Sequence, residues 1–151
     1  YQLQTLSTAI GKLKNLKEFT IHDTLIAILP EEIGLLENLQ WLNLWRNPIK
    51  TLPSSIEKLE QLEDLILNEN KIEYLPPEIG NLKNLKYLSL ENNHLSNLPQ
   101  EIKKLSLKKL VLTQNPLQQQ TIDDLVQNSE IEIIIFNDYT FRRYEHNTFE
   151  E

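Results

Sequence analysis

The segment LQWLNLWRNPI, from Leu39 to Ile49, carries apolar residues at fixed intervals in the form L-x-x-L-x-L-x-x-N-x-L. The same form begins again at residues 62, 85 and 107, and a variant of it begins at residue 16. The intervals between these starts are 23, 23, 23 and 22 residues, the last being shorter because one residue is missing between Leu105 and Leu107. Self-similarity at such a period predicts a solenoid, in which each unit buries its apolar face only against its neighbours.

A second pattern completes each unit. Leu29-Pro30 is followed by apolar residues three and six positions after the proline, at Ile33 and Leu36. Equivalent pairs stand at Leu52-Pro53, Leu75-Pro76 and Leu98-Pro99. Proline with Glu or Ser after it, and this spacing of apolar residues, predicts a short helical or 3₁₀ segment.

The centre of each unit predicts a strand. The pattern Leu42-x-Leu44 alternates with period two, so leucine lies on the buried face and a variable residue on the other. The asparagine of the motif stands where the chain leaves the strand, and its amide group can satisfy backbone groups of its own turn and of the neighbouring unit. We therefore assign these asparagines a structural role, as a ladder along the solenoid. Thr24 replaces the asparagine in the first full unit, so we expect a looser turn there.

On these motifs the chain resembles leucine-rich repeat proteins over nearly its whole length. The unit is most similar to the 23-residue repeats of bacterial proteins from spirochaetes, of the Leptospira type, and it also resembles intracellular repeat proteins of eukaryotes. The resemblance implies an α/β solenoid. This is a curved, right-handed superhelix with a parallel sheet on its concave face and short helical or 3₁₀ segments on its convex face.

We expect one leucine-rich repeat domain over residues 1–151. Residues 1–15 are expected to form a partial N-terminal repeat with Tyr1 at the asparagine position, and residues 16–117 to form five repeats. The chain is thus expected to begin within a repeat, after a strand that the sequence does not contain. Residues 118–151 are expected to form an atypical capping repeat and tail, because the Leu-Pro pattern stops after Leu117.

Two signals define the expected C-terminal cap. Thr121 and Asp124 resemble a capping box that opens a short helix. A further step of 24 residues from Leu107 reaches Ile131, where the repeat spacing continues. The residues at that spacing are Ile131, Ile134, Phe136, Tyr139 and Phe141, with tyrosine at the asparagine position. We expect a sixth, terminal strand here, after which residues 142–151 either fold back as a cap or fray.

Charge and composition exclude several classes of partner. The chain has 22 acidic and 15 basic residues, a net charge of −7 and a pI near 5.0. The lack of clustered lysine and arginine argues against nucleic acid and anionic membranes as partners. No apolar run approaches the roughly 20 residues of a membrane span, so we expect no membrane insertion. With no cysteine there is no disulfide, no thiolate metal site and no cysteine nucleophile, and this favours a bacterial or intracellular origin.

We expect no enzymatic activity, no cofactor and no metal site. The histidines His22, His94 and His146 lack the spacing of metal ligands. A catalytic pair of carboxylates needs a pocket that shifts one pKa, and a wide curved sheet does not provide one, so we expect Glu63 and Asp64 to be solvated. The glycines share one repeat position, where we expect them to serve tight turns. They are Gly11, Gly34 and Gly80.

The resemblance implies that partners bind on the concave face, formed by the outward-facing strand positions and the turn after each strand. Both tryptophans of the chain fall on this face, and an exposed Trp beside an Arg is typical of an interface anchor. We therefore predict a partner-binding patch that consists of Trp41, Trp45, Arg46, Ile66, Tyr87, His22, Asp64 and Glu91. The opposing hypothesis is that isolated surface aromatics carry no function.

A second apolar strip on the same face consists of Val111, Ile133 and Ile135. It contributes to the binding surface only if the C-terminal tail leaves it uncovered. We keep both outcomes open.

Four functions are compatible with the residues. The first, which we favour, is a monomeric protein-binding module; the spirochaetal resemblance implies that it is secreted or lies on the cell surface and contacts host molecules such as a cell-surface protein. The second is a cytoplasmic scaffold or regulator, and the third is the targeting domain of a larger effector. The fourth is end-to-end self-association through an open N-terminal end. The motif does not identify the partner.

Overall fold

A single sheet runs along the solenoid in the computed structural model, which describes residues 3–143 and 149–150. Within these residues eight strands follow one another across the sheet in chain order. Their bounds are Glu18–Thr20 (β1), Trp41–Asn43 (β2), Asp64–Ile66 (β3), Tyr87–Ser89 (β4), Lys109–Val111 (β5), Ile133–Phe136 (β6), Tyr139–Arg143 (β7) and Phe149–Glu150 (β8). Strands β1 to β6 are parallel, whereas β7 is antiparallel to both β6 and β8.

The strand register repeats the sequence period. Leu42 of β2 pairs with Leu65 of β3, Leu65 with Leu88, and Leu88 with Leu110. These leucines are at most 1% exposed. Because side chains alternate along a strand, the residues on either side of each leucine point out of the core. The predicted strands, with buried leucines and a variable outer face, are confirmed.

Five 3₁₀ segments lie opposite the sheet and close the core. They span Thr8–Lys12, Glu31–Leu35, Ser54–Lys58, Pro77–Asn81 and Gln100–Lys104. Proline occupies the N-cap of the last four, with a ψ of 145–151°, and its carbonyl accepts the first i→i+3 bond, as from Ile33 N to Pro30 O at 3.0 Å. The segments that the Leu-Pro pattern predicts are therefore present, as 3₁₀ turns.

The asparagines of the motif form a continuous ladder inside the coil. Asn70 Nδ2 donates to the carbonyl of Leu67 in its own unit at 3.1 Å and to that of Leu44 in the preceding unit at 2.9 Å. Its Oδ1 accepts from Ile49 N at 3.2 Å. Leu44 O also accepts from Asn47 Nδ2 at 2.8 Å, so one carbonyl serves two successive asparagines. The ladder consists of Asn47, Asn70, Asn93 and Asn115, all of them buried.

The turn that aims each asparagine inward requires a left-handed residue just before it. The φ of this residue is 53° in four units and 57° in the fifth, and none of the five is glycine. They are Asp23, Arg46, Glu69, Asn92 and Gln114. A left-handed conformation costs a non-glycine residue roughly 1 kcal/mol. The bonds of the ladder therefore outweigh this strain in every unit.

Thr24 does not loosen its turn, contrary to the expectation from sequence. Asp23 before it has the same φ as its counterparts. The Thr24 hydroxyl donates to Asn47 Oδ1 at 2.5 Å and accepts from Ile26 N at 3.2 Å, while Thr24 N also donates to Asn47 Oδ1. The Thr24 hydroxyl thus lies between Ile26 N and Asn47 Oδ1, whereas in the next unit Ile49 N donates directly to Asn70 Oδ1.

The glycines serve close packing rather than tight turns, which corrects the expectation. All three lie within 3₁₀ segments, and none has a positive φ. A Cβ added to Gly34 would lie 2.4 Å from the carbonyl oxygen of Ser55, and one added to Gly80 would lie 2.5 Å from that of Glu101. Glycine here lets neighbouring 3₁₀ segments approach each other.

The one short unit absorbs its missing residue on the convex side. The residue that ends each earlier 3₁₀ segment has a ψ of 59–72°, but Leu105 has a ψ of 136°. The chain therefore extends from Leu105 and reaches β5 in one residue fewer. The register of β5 with β4 is unchanged.

The C-terminal helix is present, but the predicted capping box is wrong. Helix α1 spans Gln119–Asn128, and its N-cap is Gln118, so Thr121 lies inside the helix. Asp124 instead forms an ion pair with Lys103 and accepts from Asn128 Nδ2 at 2.7 Å. The hydrogen bond from Lys103 is the main reason why the pKa of Asp124 lies below its usual value.

The sixth strand is confirmed as β6, but the repeat spacing does not continue to Tyr139. The chain reverses in a two-residue turn at Asn137 and Asp138, and Tyr139 pairs with Phe136 at the start of β7. Tyr139 is 52% exposed and does not take an asparagine position. Arg143 at the end of β7 donates to the carbonyls of Val126 and Ser129, which ties the hairpin to α1.

At the N-terminal end, the partial repeat contributes its own 3₁₀ segment, and Leu25 N donates to Leu3 O at 2.8 Å. Of the large aliphatic residues before Leu16, Ile10 is buried and Leu6 packs against the core, whereas Leu3 and Leu13 are about half exposed. The position predicted for Tyr1 lies outside the described residues. So does the prediction for residues 144–148 and 151 of the tail.

We predict that Asn70→Ala lowers the free energy of unfolding by about 3 kcal/mol, since it removes the hydrogen bonds that join carbonyls of two units and leaves the buried N–H of Ile49 without its partner. Urea unfolding monitored by circular dichroism measures the change. The matched control is Asn97→Ala, at an exposed position where the side chain has no hydrogen bond to the described residues, and it should change stability by about 0.5 kcal/mol or less. Equal effects of the two substitutions would contradict the ladder.

We predict that Gly34→Ala destabilises the fold by about 2–3 kcal/mol, because the new methyl group meets backbone atoms of the adjacent segment. Gly11→Ala should cost about 1 kcal/mol or less, because its nearest atoms, Leu35 Cδ1 at 3.0 Å and Cβ and O of Glu32 at 3.1 Å, need to give way far less than those at Gly34. The difference in urea midpoint between the two variants is the measurement. A larger loss at Gly11 would show that close packing is not the reason for glycine at this position.

Candidate functional site

Because the parallel strands pair in register, their outward-facing side chains form rows across the concave face. One row crosses the sheet through the first residue of each strand, in the order Glu18, Trp41, Asp64, Tyr87 and Lys109. The next row runs through the third residue, in the order Thr20, Asn43, Ile66, Ser89, Val111 and Ile135. Neighbours in a row are about 4.8 Å apart, so residues two strands apart are separated by roughly 10 Å.

The first row alternates charged and aromatic side chains. Trp41 lies between the carboxylates of Glu18 and Asp64, and Tyr87 lies between Asp64 and the ammonium group of Lys109. Tyr87 is 42% exposed, and Trp41 and Asp64 are half-buried. Three of the predicted residues are therefore consecutive in one row.

A shallow depression of about 200 Å³ opens beside this row. The small side chain of Ser89 lies between Ile66 and Val111 in the second row and leaves room above the sheet. Asp64, Tyr87 and Lys109 border the depression on the side of the first row. The depression brings an aromatic ring, aliphatic side chains and a carboxylate together at one place on the concave face.

Trp45 belongs to a different cluster, at the turns that follow β1, β2 and β3. Its ring lies 5.5 Å from that of His22, its Nε1 donates to Glu69 Oε1 at 3.2 Å, and the guanidinium carbon of Arg46 lies 5.1 Å from the ring centre. Arg46 Nε bridges Asp23 Oδ1 at 3.3 Å and Glu69 Oε2 at 3.4 Å. His22 Nδ1 is 2.9 Å from Asp23 Oδ2. We call these five residues the turn cluster.

The contacts of Trp45 lie within the turn cluster. The sequence places Trp41, Trp45, Ile66 and Tyr87 in one predicted patch. The structure joins Trp41, Ile66 and Tyr87 around Asp64, whereas Trp45 packs with His22 and Arg46. The sequence analysis missed Glu69 as the partner of Trp45; the signal was its position one unit after Arg46, at the same place in the repeat.

The sequence analysis predicts that Asp64 is solvated, but in the structure its side chain is half-buried. Burial is the main cause that raises the pKa of Asp64, and the neighbouring charge of Glu63 raises it further, while Lys86 lowers it. Lys86 is engaged elsewhere, because its Nζ lies 2.6 Å from Glu63 Oε2, and this bond raises its own pKa. Within residues 3–143 and 149–150, the Asp64 carboxylate has no hydrogen bond or ion pair.

Glu91, the remaining predicted residue, is half-buried after β4, and its side chain joins neither group in the part of the chain that the structure describes. The second apolar strip of Val111, Ile133 and Ile135 is also half-buried. Strands β7 and β8 extend the sheet beside β6, so the tail, as far as it is described, does not lie across this strip.

The sequence analysis also missed an apolar groove away from the concave face. It has a volume of about 850 Å³ and lies between the strand exits and the 3₁₀ segments, with Ile28, Thr51 and Tyr74 along it. Ile28 is 79% exposed and Tyr74 is 59% exposed. The signal was the spacing of 23 residues from Ile28 to Thr51 and from Thr51 to Tyr74, which places all three at one position of the repeat.

Among the residues that the structure describes, no group of three or more His, Asp or Glu side chains is arranged to hold a metal ion. No described helix combines the length and the apolar character that crossing a bilayer requires.

We predict that Asp64→Asn stabilises the fold at pH 7. A pKa that is raised in the folded state means that ionisation of Asp64 opposes folding. This effect on stability is absent well below the ordinary pKa, grows as the pH rises from the ordinary to the folded value, and is fully present above the folded value. Thermal unfolding at several pH values should therefore show a higher midpoint for Asp64→Asn near neutrality and convergence with the wild type in acid. A variant less stable than the wild type at pH 7 would contradict this account.

Two family models match the sequence. One, described as a leucine-rich repeat region, matches residues 3–86, and a second, described as leucine rich repeat, matches residues 60–117. No curated protein matches the chain.

Solved structures give the same result. One similar structure is that of a leucine-rich repeat protein of Leptospira interrogans, which is 41% identical in sequence, with a TM-score of 0.81. The alignment covers 86% of this chain and 34% of the Leptospira chain, so this chain spans about a third of that protein's length. The expected fold class, a curved α/β solenoid with its sheet on the concave face, is confirmed. Its motifs, its fold and these matches together show that the chain belongs to the leucine-rich repeat family.

Proposed function

We propose that the concave face binds a protein partner, with Trp41, Ile66 and Tyr87 at the centre of the contact. The leucine-rich repeat family and fold indicate a protein-interaction module. The observation that supports this location is the depression beside Tyr87, where aromatic and aliphatic side chains are open to solvent. Large aromatic side chains in such positions are typical anchors of protein interfaces, and their truncation often costs about 2 kcal/mol or more of binding.

The turn cluster gives this surface a pre-ordered border. Its charged and aromatic side chains already hold one another, so a partner that contacts Trp45 or Arg46 meets groups with little rotamer freedom left to lose. Glu91 continues the border beyond Glu69 and adds a carboxylate. In our proposal Trp45, Arg46 and His22 are contact residues at the border, and the centre lies on the sheet.

We propose further that the role is non-enzymatic and that the protein acts on the bacterial surface or after secretion, where it contacts host molecules. The similarity to a Leptospira leucine-rich repeat protein supports a bacterial setting. An intracellular scaffold and the targeting domain of a larger protein are the two competing functions, and each predicts partners from the protein's own cell.

The proposal is tested by capture of proteins from host-cell and own-cell lysates on the immobilised chain, followed by mass spectrometry. Trp41→Ala with Tyr87→Ala should abolish capture of the partner and leave the far-UV circular dichroism spectrum unchanged, because both side chains lie outside the core. Trp41→Ala with Trp45→Ala should abolish it as well. Trp45→Ala alone should weaken it less, since this ring lies at the border.

The matched control is Ile28→Ser with Tyr74→Ser, which removes two large exposed side chains from the groove and leaves the concave face intact. Capture that survives Trp41→Ala with Tyr87→Ala but fails in this control would place the interface in the groove. A partner found only in the own-cell lysate would refute the host-contact proposal in favour of a scaffold or targeting domain.

A further inference from the structure

Asp64 is set apart from the other acidic residues of its surroundings. Glu63 has Lys86, and Asp23 and Glu69 share Arg46, but the Asp64 carboxylate has no bonded partner among the described residues. Burial also raises the pKa of Asp64, which means that it opposes ionisation of this carboxyl group. Lys86 acts on Asp64 only through its nearby charge, because its ammonium group bonds to Glu63. A half-buried carboxylate that has no bonded cation is stabilised when one reaches it.

The neighbours of Asp64 are suited to such a cation. Trp41 and Tyr87 lie on the two adjacent strands, each paired in register with Asp64. A positive charge above Asp64 would thus have an aromatic residue on the strand at either side, each strand about 4.8 Å away, and ring faces attract cations. Glu18, on the far side of Trp41, adds a second negative charge to this end of the row.

We propose that Trp41, Asp64 and Tyr87 form a receptor for a lysine or arginine side chain of the protein partner. This inference rests on the function proposed above and specifies the chemistry of that partner. The charged head lies over Asp64 between the two rings, where the carboxylate and both aromatic faces attract it.

The depression beside Asp64 provides for the rest of the side chain. Its floor at Ser89 and its walls at Ile66 and Val111 are suited to an aliphatic stem that leads to the charged head. Lys109 also lines the depression, two strands from Asp64, so the charged head is favoured at the Asp64 end and a second positive charge is repelled at the Lys109 end. The receptor therefore favours a single basic residue within an otherwise uncharged or acidic segment, rather than a polybasic stretch.

The test follows the indole N–H signals of both tryptophans by NMR, with Trp45→Phe used to assign them. The probe is the peptide acetyl-Gly-Lys-Gly-amide, and the matched control peptide carries norleucine, which has the same aliphatic stem without the charge. The lysine peptide should shift the Trp41 signal saturably, with a Kd on the order of millimolar, and leave the Trp45 signal in place. The norleucine peptide should bind about tenfold more weakly.

Variants identify the carboxylate that acts. Asp64→Asn should weaken binding of the lysine peptide about tenfold and leave binding of the norleucine peptide nearly unchanged. Glu73→Gln, an exposed carboxylate far from the row, makes the same change in net charge and should have no effect. Loss of folding does not confuse this comparison, because removal of the Asp64 charge is expected to stabilise the chain.

The inference is overturned if the Trp41 signal does not saturate with the lysine peptide, if both peptides bind equally, or if Asp64→Asn binds lysine as the wild type does. If partner capture still depends on Trp41 and Tyr87, any of these outcomes would refute only the proposal that a basic side chain of the partner binds here. The concave face would remain the proposed binding surface. Capture that is indifferent to Trp41 and Tyr87 would refute the proposed function itself, whatever the peptides do.

Discussion

The hydrogen bonds of the asparagine ladder are the constraint on which the rest of the molecule depends. Each ladder asparagine turns away from solvent at the end of a strand and joins two consecutive units through their backbones, as Asn70 joins Leu67 and Leu44. This geometry forces a left-handed residue before it, fixes the exit direction of every strand, and so fixes the register of the sheet. The packing of leucines follows from that register, because it places equivalent leucines of neighbouring units side by side in the core.

The asparagine ladder and the buried leucines hold successive units together. The outward positions of the strands are therefore free to vary. The row from Glu18 to Lys109 uses this freedom to place charged and aromatic groups in alternation. Asp64 is the clearest case in which that row works against the fold, since its burial without a partner opposes ionisation. The binding role that we propose for Asp64 is consistent with a side chain whose charge does not stabilise the fold.

The sequence predicts most of the architecture because the repeat period is visible as spacing alone. Strands, 3₁₀ segments and ladder asparagines all follow from it. What it does not predict depends on atoms in adjacent coils: the packing role of Gly34, the relay through the Thr24 hydroxyl, and the early reversal at Asn137. For the candidate site, spacing predicts which residues share the concave face. It does not predict that Trp45 packs with His22 and Glu69, because side-chain rotamers decide that arrangement.

The shortened unit, whose convex side is extended at Leu105, has an evolutionary consequence. A coil of this kind consists of a span of invariant length, from the strand to its asparagine, and a span on the convex side whose length can change, as the extended conformation at Leu105 shows. Recombination that duplicates or removes whole coils, or trims their convex span, preserves the lateral spacing of side chains on the opposite face. A gene built this way can lengthen or reassort its recognition surface in discrete steps, while the geometry within each step is inherited intact.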